Sequence, residues 1–226
     1  MSAQRLIVAI DTSDPLRAAA LARATAPYCG IFKLGLEFFA ANGPDGVRSV
    51  GGRPIFLDLK LHDIPNTVAG AVRGVLKLAP RMLTLHASGG AAMIAAARDA
   101  AEAAGADRPM LLAVTVLTSL DAAALAATGV AAPPGQQAVR LGRLAVAAGA
   151  DGLVCSAHEI APLRAALGPD VTLVVPGIRP AGSAADDQAR TMTPHQALAA
   201  GADWIVVGRP ITGADDPARA AAALFA

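Results

Sequence analysis

Leu57-Asp58-Leu59-Lys60-Leu61-His62-Asp63 sets two opposite charges two residues apart within a run of leucines. In a strand, alternate side chains share a face, so Asp58 and Lys60 project one way and Leu57, Leu59 and Leu61 the other. A buried ammonium ordinarily loses its proton, but flanking carboxylates oppose that loss. At ~4 Å and an effective dielectric of ~20, one such neighbour is worth about 4 kcal/mol before desolvation. Lys60 is therefore better suited to donating a proton than to attacking a carbonyl. The strand alone is also compatible with a structural ion pair. The chain has only three lysines (Lys33, Lys60, Lys77) among 19 basic residues. Where arginine serves for ordinary surface charge, a lysine in an apolar strand asks for a compact ammonium able to release a proton.

Charges recur wherever an apolar run ends. The runs span 6–10, 31–36, 54–61, 82–87, 110–117, 152–156, 172–178 and 204–208. Such segments, bounded by Gly, Pro and Asp, suit strands buried on both faces of a parallel sheet. Helical stretches lie near 15–26, 37–50, 65–78, 89–104, 136–148, 158–167, 194–200 and 216–225. Asp14-Pro15, Thr193-Pro194 and Asp216-Pro217 are start signals, a capping residue before a proline at the first helical position. Eight strands alternating with eight helices predict an α/β fold, a single (β/α)8 TIM barrel spanning 1–226 as one catalytic domain. An open doubly wound sheet needs a glycine-rich turn after the first strand, where this chain has Asp11-Thr12-Ser13-Asp14. The 119–135 stretch reads as a long connection carrying a short helix, of the kind that forms lids.

In such a barrel the active site lies at the C-terminal strand ends. Those ends carry Asp11, Lys33, Asp58 with Lys60, His86, Thr118, Ser156, Arg179 and Arg209, in strand order. The loops after strands seven and eight often hold phosphate, and here they read Pro176-Gly177-Ile178-Arg179 and Gly208-Arg209. Glycine lets backbone amides approach an anion, and the arginine fork matches phosphate oxygens.

Other chemistries find little support. His62 and His86 read as structural histidines, and His158 and His195 as exposed residues at helix starts. No His/Asp/Glu spacing suggests a metal site, and no nucleophile elbow is present. Cys29 and Cys155 suit small buried apolar positions. A formal charge of +1 argues against nucleic acid as partner. With no run near ~18 apolar residues, no membrane span is expected. The apolar run from Leu6 starts too early for a secretory signal, and the expectation is a soluble, cytoplasmic protein.

The chain resembles the orotidine 5′-phosphate decarboxylase family over nearly its whole length. The resemblance rests on Phe56 to Thr67 (FLDLKLHDIPNT), Thr115-Val116-Leu117-Thr118-Ser119, Pro176 to Pro180, Asp187-Gln188 and Val207-Gly208-Arg209-Pro210. It implies decarboxylation of orotidine 5′-monophosphate to uridine 5′-monophosphate and carbon dioxide in pyrimidine biosynthesis, with no metal and no organic cofactor. By the same resemblance, Asp11 and Lys33 contact the ribose hydroxyls, Asp58 faces the substrate carboxylate and Lys60 protonates the ring carbon. It further implies a homodimer in which Asp63 and Thr67 complete the neighbour's site. Thr118 is expected near the pyrimidine, and Arg179, Gln188, Gly208 and Arg209 around the phosphate.

Three other readings remain at this stage. A magnesium-dependent sugar-phosphate lyase on the same barrel carries a similar motif, but with a carboxylate near the position of Lys33. A Schiff-base aldolase needs a neutral Lys60, which the adjacent acids disfavour. A non-catalytic nucleotide-binding barrel binds uridine 5′-phosphate without turnover.

Overall fold

The structure, a computed structural model, describes residues 2–180 and 192–225. Eight parallel strands close into a barrel in sequence order. They are β1 (Leu6–Ile10), β2 (Ile31–Gly35), β3 (Ile55–Leu61), β4 (Met82–His86), β5 (Met110–Val114), β6 (Gly152–Val154), β7 (Thr172–Val175) and β8 (Trp204–Val207). Closure comes from β1 pairing with β8, Leu6 opposite Ile205.

The helices are α1 (Pro15–Thr25), α2 (Leu36–Ser49), α3 (Pro65–Leu76), α4 (Gly90–Ala101), α5 (Ala122–Ala127), α6 (Pro134–Ala147), α7 (Ile160–Leu167), α8 (Pro194–Ala199), α9 (Arg209–Thr212) and α10 (Pro217–Ala223). The expected starts are present: the side chains of Asp14, Thr193 and Asp216 each accept a backbone N–H of the first helical turn. Each such cap is worth about 1 kcal/mol. Two stretches depart from the sequence reading. The 37–50 helix bends at Gly43, whose φ is +58°, and the 89–104 helix leaves α geometry after Ala101. The four-residue α9 is too short to carry a periodic pattern and lies outside the helical stretches expected from the sequence. Strands five to seven stop two to three residues before their apolar runs do, because the chain leaves the ladder there to form the mouth of the barrel.

Alternation along each strand divides the apolar residues into two sets. Ile7, Ile31, Phe56, Met82, Leu112 and Val206 pack in the barrel interior. Their neighbours Leu6, Val8, Phe32, Leu57 and Leu83 join the larger core between sheet and helices. The side chains of both layers are buried, and each fully buried side chain of this size contributes roughly 1.5–3 kcal/mol. Going up the inward columns, Ile31 is followed by Lys33, Phe56 by Asp58, Met82 by Thr84 and Val206 by Gly208. The polar residues thus begin where the packed interior ends.

The opposite end of the barrel is stapled by a repeated device. Asp151 precedes β6 and accepts the N–H of Leu111 on β5 at 2.7 Å and a donor from Arg108 at 2.8 Å. Asp203 precedes β8 and accepts the N–H of Leu173 on β7 at 2.8 Å, with Arg164 as its ion-pair partner. Each carboxylate satisfies the amide of a strand's second residue, and an arginine neutralises it. Structural ion pairs therefore cluster at the N-terminal end, away from the mouth.

Candidate active site

The mouth of the barrel holds a cavity of about 250 Å³. Asp11, Lys33, Asp58 and Lys60 line one side, Thr118 sits with Leu117 on another, and Arg179, Gly208 and Arg209 line the side of β7 and β8. Sequence residues far apart are thereby brought around one space. Asp63 and Thr67 are exposed and do not line this chain's cavity. Asp63 instead accepts the N–H of Ile64 at 2.7 Å. Gln188 and Asp187 lie outside the described residues. His86 and Ser156, though at strand ends, also stay out of the lining. The Ser156 N–H donates to Glu159 at the start of the following helical turn, and the rings of His86 and His62 sit 5.3 Å apart. His158 and His195 are exposed as expected.

The charged side chains form an alternating ladder. Lys33 Nζ lies 3.0 Å from Asp11 Oδ1 and 3.5 Å from Asp58 Oδ2, and Lys60 Nζ lies 2.8 Å from Asp58 Oδ1. The ladder opens to solvent at Asp11: the side chain of Lys33 is 11% exposed, whereas that of Asp11 is 54% exposed. Burial drives Lys33 toward its neutral form, but the charges of Asp58 and Asp11 more than reverse this, so its pKa stands above the ordinary 10.5. Burial likewise penalises the Asp58 carboxylate, and the charges of Lys33 and Lys60 with two hydrogen bonds overcome it, holding its pKa below 3.8. At neutral pH Asp58 is an anion and Lys33 a cation. Burial, then the charges of His62 and Lys60, lower His86, with Asp58 opposing, so its imidazole is neutral. Burial also raises both thiols, Cys29 to about 11, in keeping with apolar filler rather than nucleophiles.

Strict alternation does not by itself bring Lys60 onto Asp58. Leu57 pairs with Leu83 and Leu61 with Leu85, so β3 carries two more residues than β4 across that interval. Lys60 absorbs the excess with φ +49°, a left-handed conformation. For a lysine this costs about 1–3 kcal/mol and is a conformation met at functional sites. The bulge is held by Thr84 on β4, a residue the sequence analysis does not single out. Its signal was present: Thr84 stands two residues above inward-facing Met82, the same step that separates Asp58 from Phe56.

Two glycines lie beside the ladder. A Cβ at Gly35 would stand 3.3 Å from Lys33 Nζ, and one at Gly208 would stand 3.5 Å from Asp11 Oδ2. At Gly35 the Lys33 ammonium would have to shift by a few tenths of an ångström, whereas at Gly208 the contact is an ordinary one. At Gly177 the backbone adopts φ +80°, which glycine takes without strain.

Fold and site together define a (β/α)8-barrel enzyme with a cluster of charged groups at the C-terminal mouth. Residues 4–224 match the family model described as "Orotidine 5'-phosphate decarboxylase / HUMPS family". The chain is 58% identical over 225 residues to an orotidine 5′-phosphate decarboxylase of Gluconobacter oxydans (98% of this chain, 95% of the relative). It is 57% identical to one of Anaeromyxobacter dehalogenans (99% and 97%). Among solved structures, an orotidine 5′-phosphate decarboxylase from Lactobacillus acidophilus superposes with a TM-score of 0.85 at 37% identity, covering 98% of this chain and 97% of that one. The chain belongs to the orotidine 5′-phosphate decarboxylase family and is a carboxy-lyase. Among the described residues, no helix is long and apolar enough to cross a membrane.

Proposed function

We propose that this enzyme converts orotidine 5′-monophosphate to uridine 5′-monophosphate and carbon dioxide in pyrimidine biosynthesis, with Lys60 as the proton donor. The observation that carries the reading is the ladder Asp11–Lys33–Asp58–Lys60 on one side of a cavity whose β7–β8 side bears Arg179 and Arg209. In the proposed step the bond between the ring carbon and its carboxylate breaks and carbon dioxide leaves. The electron pair stays on the ring carbon, and the Lys60 ammonium supplies the proton that replaces the lost group. The developing carbanion has no electron sink, so a fixed cation beside it is the means of stabilisation. Asp58, held anionic, faces the departing carboxylate. Lys33 and Asp11 take the ribose hydroxyls, and Thr118 lies near the pyrimidine.

Arg179 and Arg209, with Gly208 and Gln188, are assigned to the phosphate. Binding energy gathered there, away from the reacting carbon, lowers the barrier to chemistry. The reading extends to a single catalytic domain in the cytoplasm, working as a homodimer in which Asp63 and Thr67 enter the neighbour's site. In support of that last assignment, both residues are exposed on the segment that follows Lys60, beside Ile64, which is 67% exposed. The magnesium-dependent alternative fits the donor set poorly. Both oxygens of Asp58 face lysine ammoniums, so a divalent cation has to displace a cation to reach them. A Schiff base at Lys60 is disfavoured by the same ion pair.

The test is an absorbance assay following loss of orotidine 5′-phosphate with EDTA present. Steady loss at an unchanged rate is expected. Absence of turnover, or turnover that depends on added Mg²⁺, overturns the reading.

A further inference from the structure

Thr84 is completely buried, and the hydrogen bonds of its hydroxyl go to the catalytic pair. It accepts the backbone N–H of Lys60 at 2.9 Å and donates to Asp58 Oδ1 at 2.9 Å. Asp58 Oδ1 also accepts from Lys60 Nζ at 2.8 Å. Backbone amide, threonine hydroxyl, carboxylate oxygen and ammonium thus close a ring that begins and ends on Lys60. The ring sits at the bulge, where Thr84 lies between the paired residues Leu83 and Leu85 and faces the extra length of β3.

We infer that Thr84 is a positioning residue of the decarboxylation, its hydroxyl clamping the left-handed backbone of Lys60 and the rotation of the Asp58 carboxylate in one register. Two freedoms are removed at once. A lysine at φ +49° relaxes toward extended backbone unless its amide is held, and relaxation carries Nζ away from Asp58. A carboxylate with one oxygen fixed by two donors cannot turn, so its other oxygen stays toward Lys33. A hydroxyl is required because the position must accept from an amide and donate to an anion; neither valine nor alanine does either. The effect falls on orientation, and a misplacement of about 1 Å at a reacting group costs on the order of 10²-fold in rate.

The inference rests on the proposed decarboxylation with Lys60 as donor, and wild-type enzyme is assayed alongside so that the two can fail separately. The experiment compares Thr84→Val, Thr84→Ala and Thr84→Ser for kcat, KM and uridine 5′-phosphate affinity, with kcat expressed per binding-competent site. Thr84→Val and Thr84→Ala are expected to lose about tenfold or more in kcat while KM and nucleotide affinity stay within about threefold. Thr84→Ser, which keeps the hydroxyl, is expected to recover kcat to within about threefold of wild type. If wild type turns over but the Val and Ala variants keep kcat, or Ser is as slow as Val, the positioning role is wrong. If neither Val nor Ala yields folded protein, the hydroxyl serves stability and the inference is likewise overturned. A wild type without turnover overturns the reading beneath it.

Discussion

Lys33 and Lys60 approach opposite oxygens of one carboxylate: Asp58 Oδ2 faces Lys33 at 3.5 Å and Oδ1 accepts from Lys60 at 2.8 Å. The two ammoniums are not equivalent. Lys33 has a second carboxylate, Asp11, at 3.0 Å and is the more buried, whereas the Lys60 side chain is 29% exposed toward the cavity. Lys33 is thus paired on two sides, and Lys60 is the ammonium more open to the cavity.

Replacing Lys60 leaves Asp58 paired with Lys33, so no buried charge is stranded. Lys60→Ala is expected to lower kcat by about 10³-fold or more, the scale of a lost proton donor. Binding of uridine 5′-phosphate, measured by calorimetry, is expected to change by less than about tenfold, because the arginines proposed to hold the phosphate are unchanged. Near-normal turnover contradicts the donor role.

Asp58 links the ladder to acid stability. Its pKa is held below 3.8 in the folded protein, so the unfolded chain binds its proton first as pH drops. The stability it contributes is present above about pH 4 and is lost as pH falls through the lower folded value. Lys33, held above 10.5, contributes stability that disappears only as pH rises through its folded value. Melting temperatures taken from pH 7 down to 3 should show the gap between wild type and Asp58→Asn narrowing below about pH 4. A gap that widens toward acid contradicts the assignment.

Arg209 is exposed at the rim of the cavity, while Arg179 is 7% exposed within it. Truncating either is expected to weaken uridine 5′-phosphate about 10–100-fold, the worth of a charge-assisted hydrogen bond. Affinity for uridine, which has no phosphate, should be unchanged in the same titrations. Equal losses for both ligands place these arginines elsewhere in the site.

The far end of the barrel allows a separate test. Arg164 donates to the carbonyls of Val171 at 2.6 Å and Gly201 at 2.7 Å besides pairing with Asp203. Arg164→Met strands these acceptors and is expected to cost about 3 kcal/mol in chemical denaturation. With the mutation at the opposite end from the cavity, kcat at 25 °C should hold within about twofold. A large loss of rate without loss of stability contradicts this division of labour.

If Asp63 completes the neighbour's site, two inactive variants can rescue each other. Mixed, refolded Lys60→Ala and Asp63→Ala chains form heterodimers in which one site carries both substitutions and the other carries neither. Equimolar mixing is then expected to restore about a quarter of wild-type activity. Activity that stays at the level of the separate variants rules the arrangement out.

Much of this was legible in the amino-acid order. Eight apolar runs and their punctuation set the barrel, because parallel strands buried on both faces leave little other pattern. The i, i+2 spacing of Asp58 and Lys60 and the glycine–arginine pairs after the last two strands marked the mouth. Spacing of this kind is a local property, carried by backbone periodicity. What only the folded barrel decided is non-local: that Lys33 bridges Asp11 and Asp58, and that β3 bulges where Lys60 turns left-handed. Thr84 likewise reaches across from the adjacent strand to hold that bulge. None of these follows from a run of letters, since each depends on the register between strands whose residues lie more than 20 positions apart in the chain.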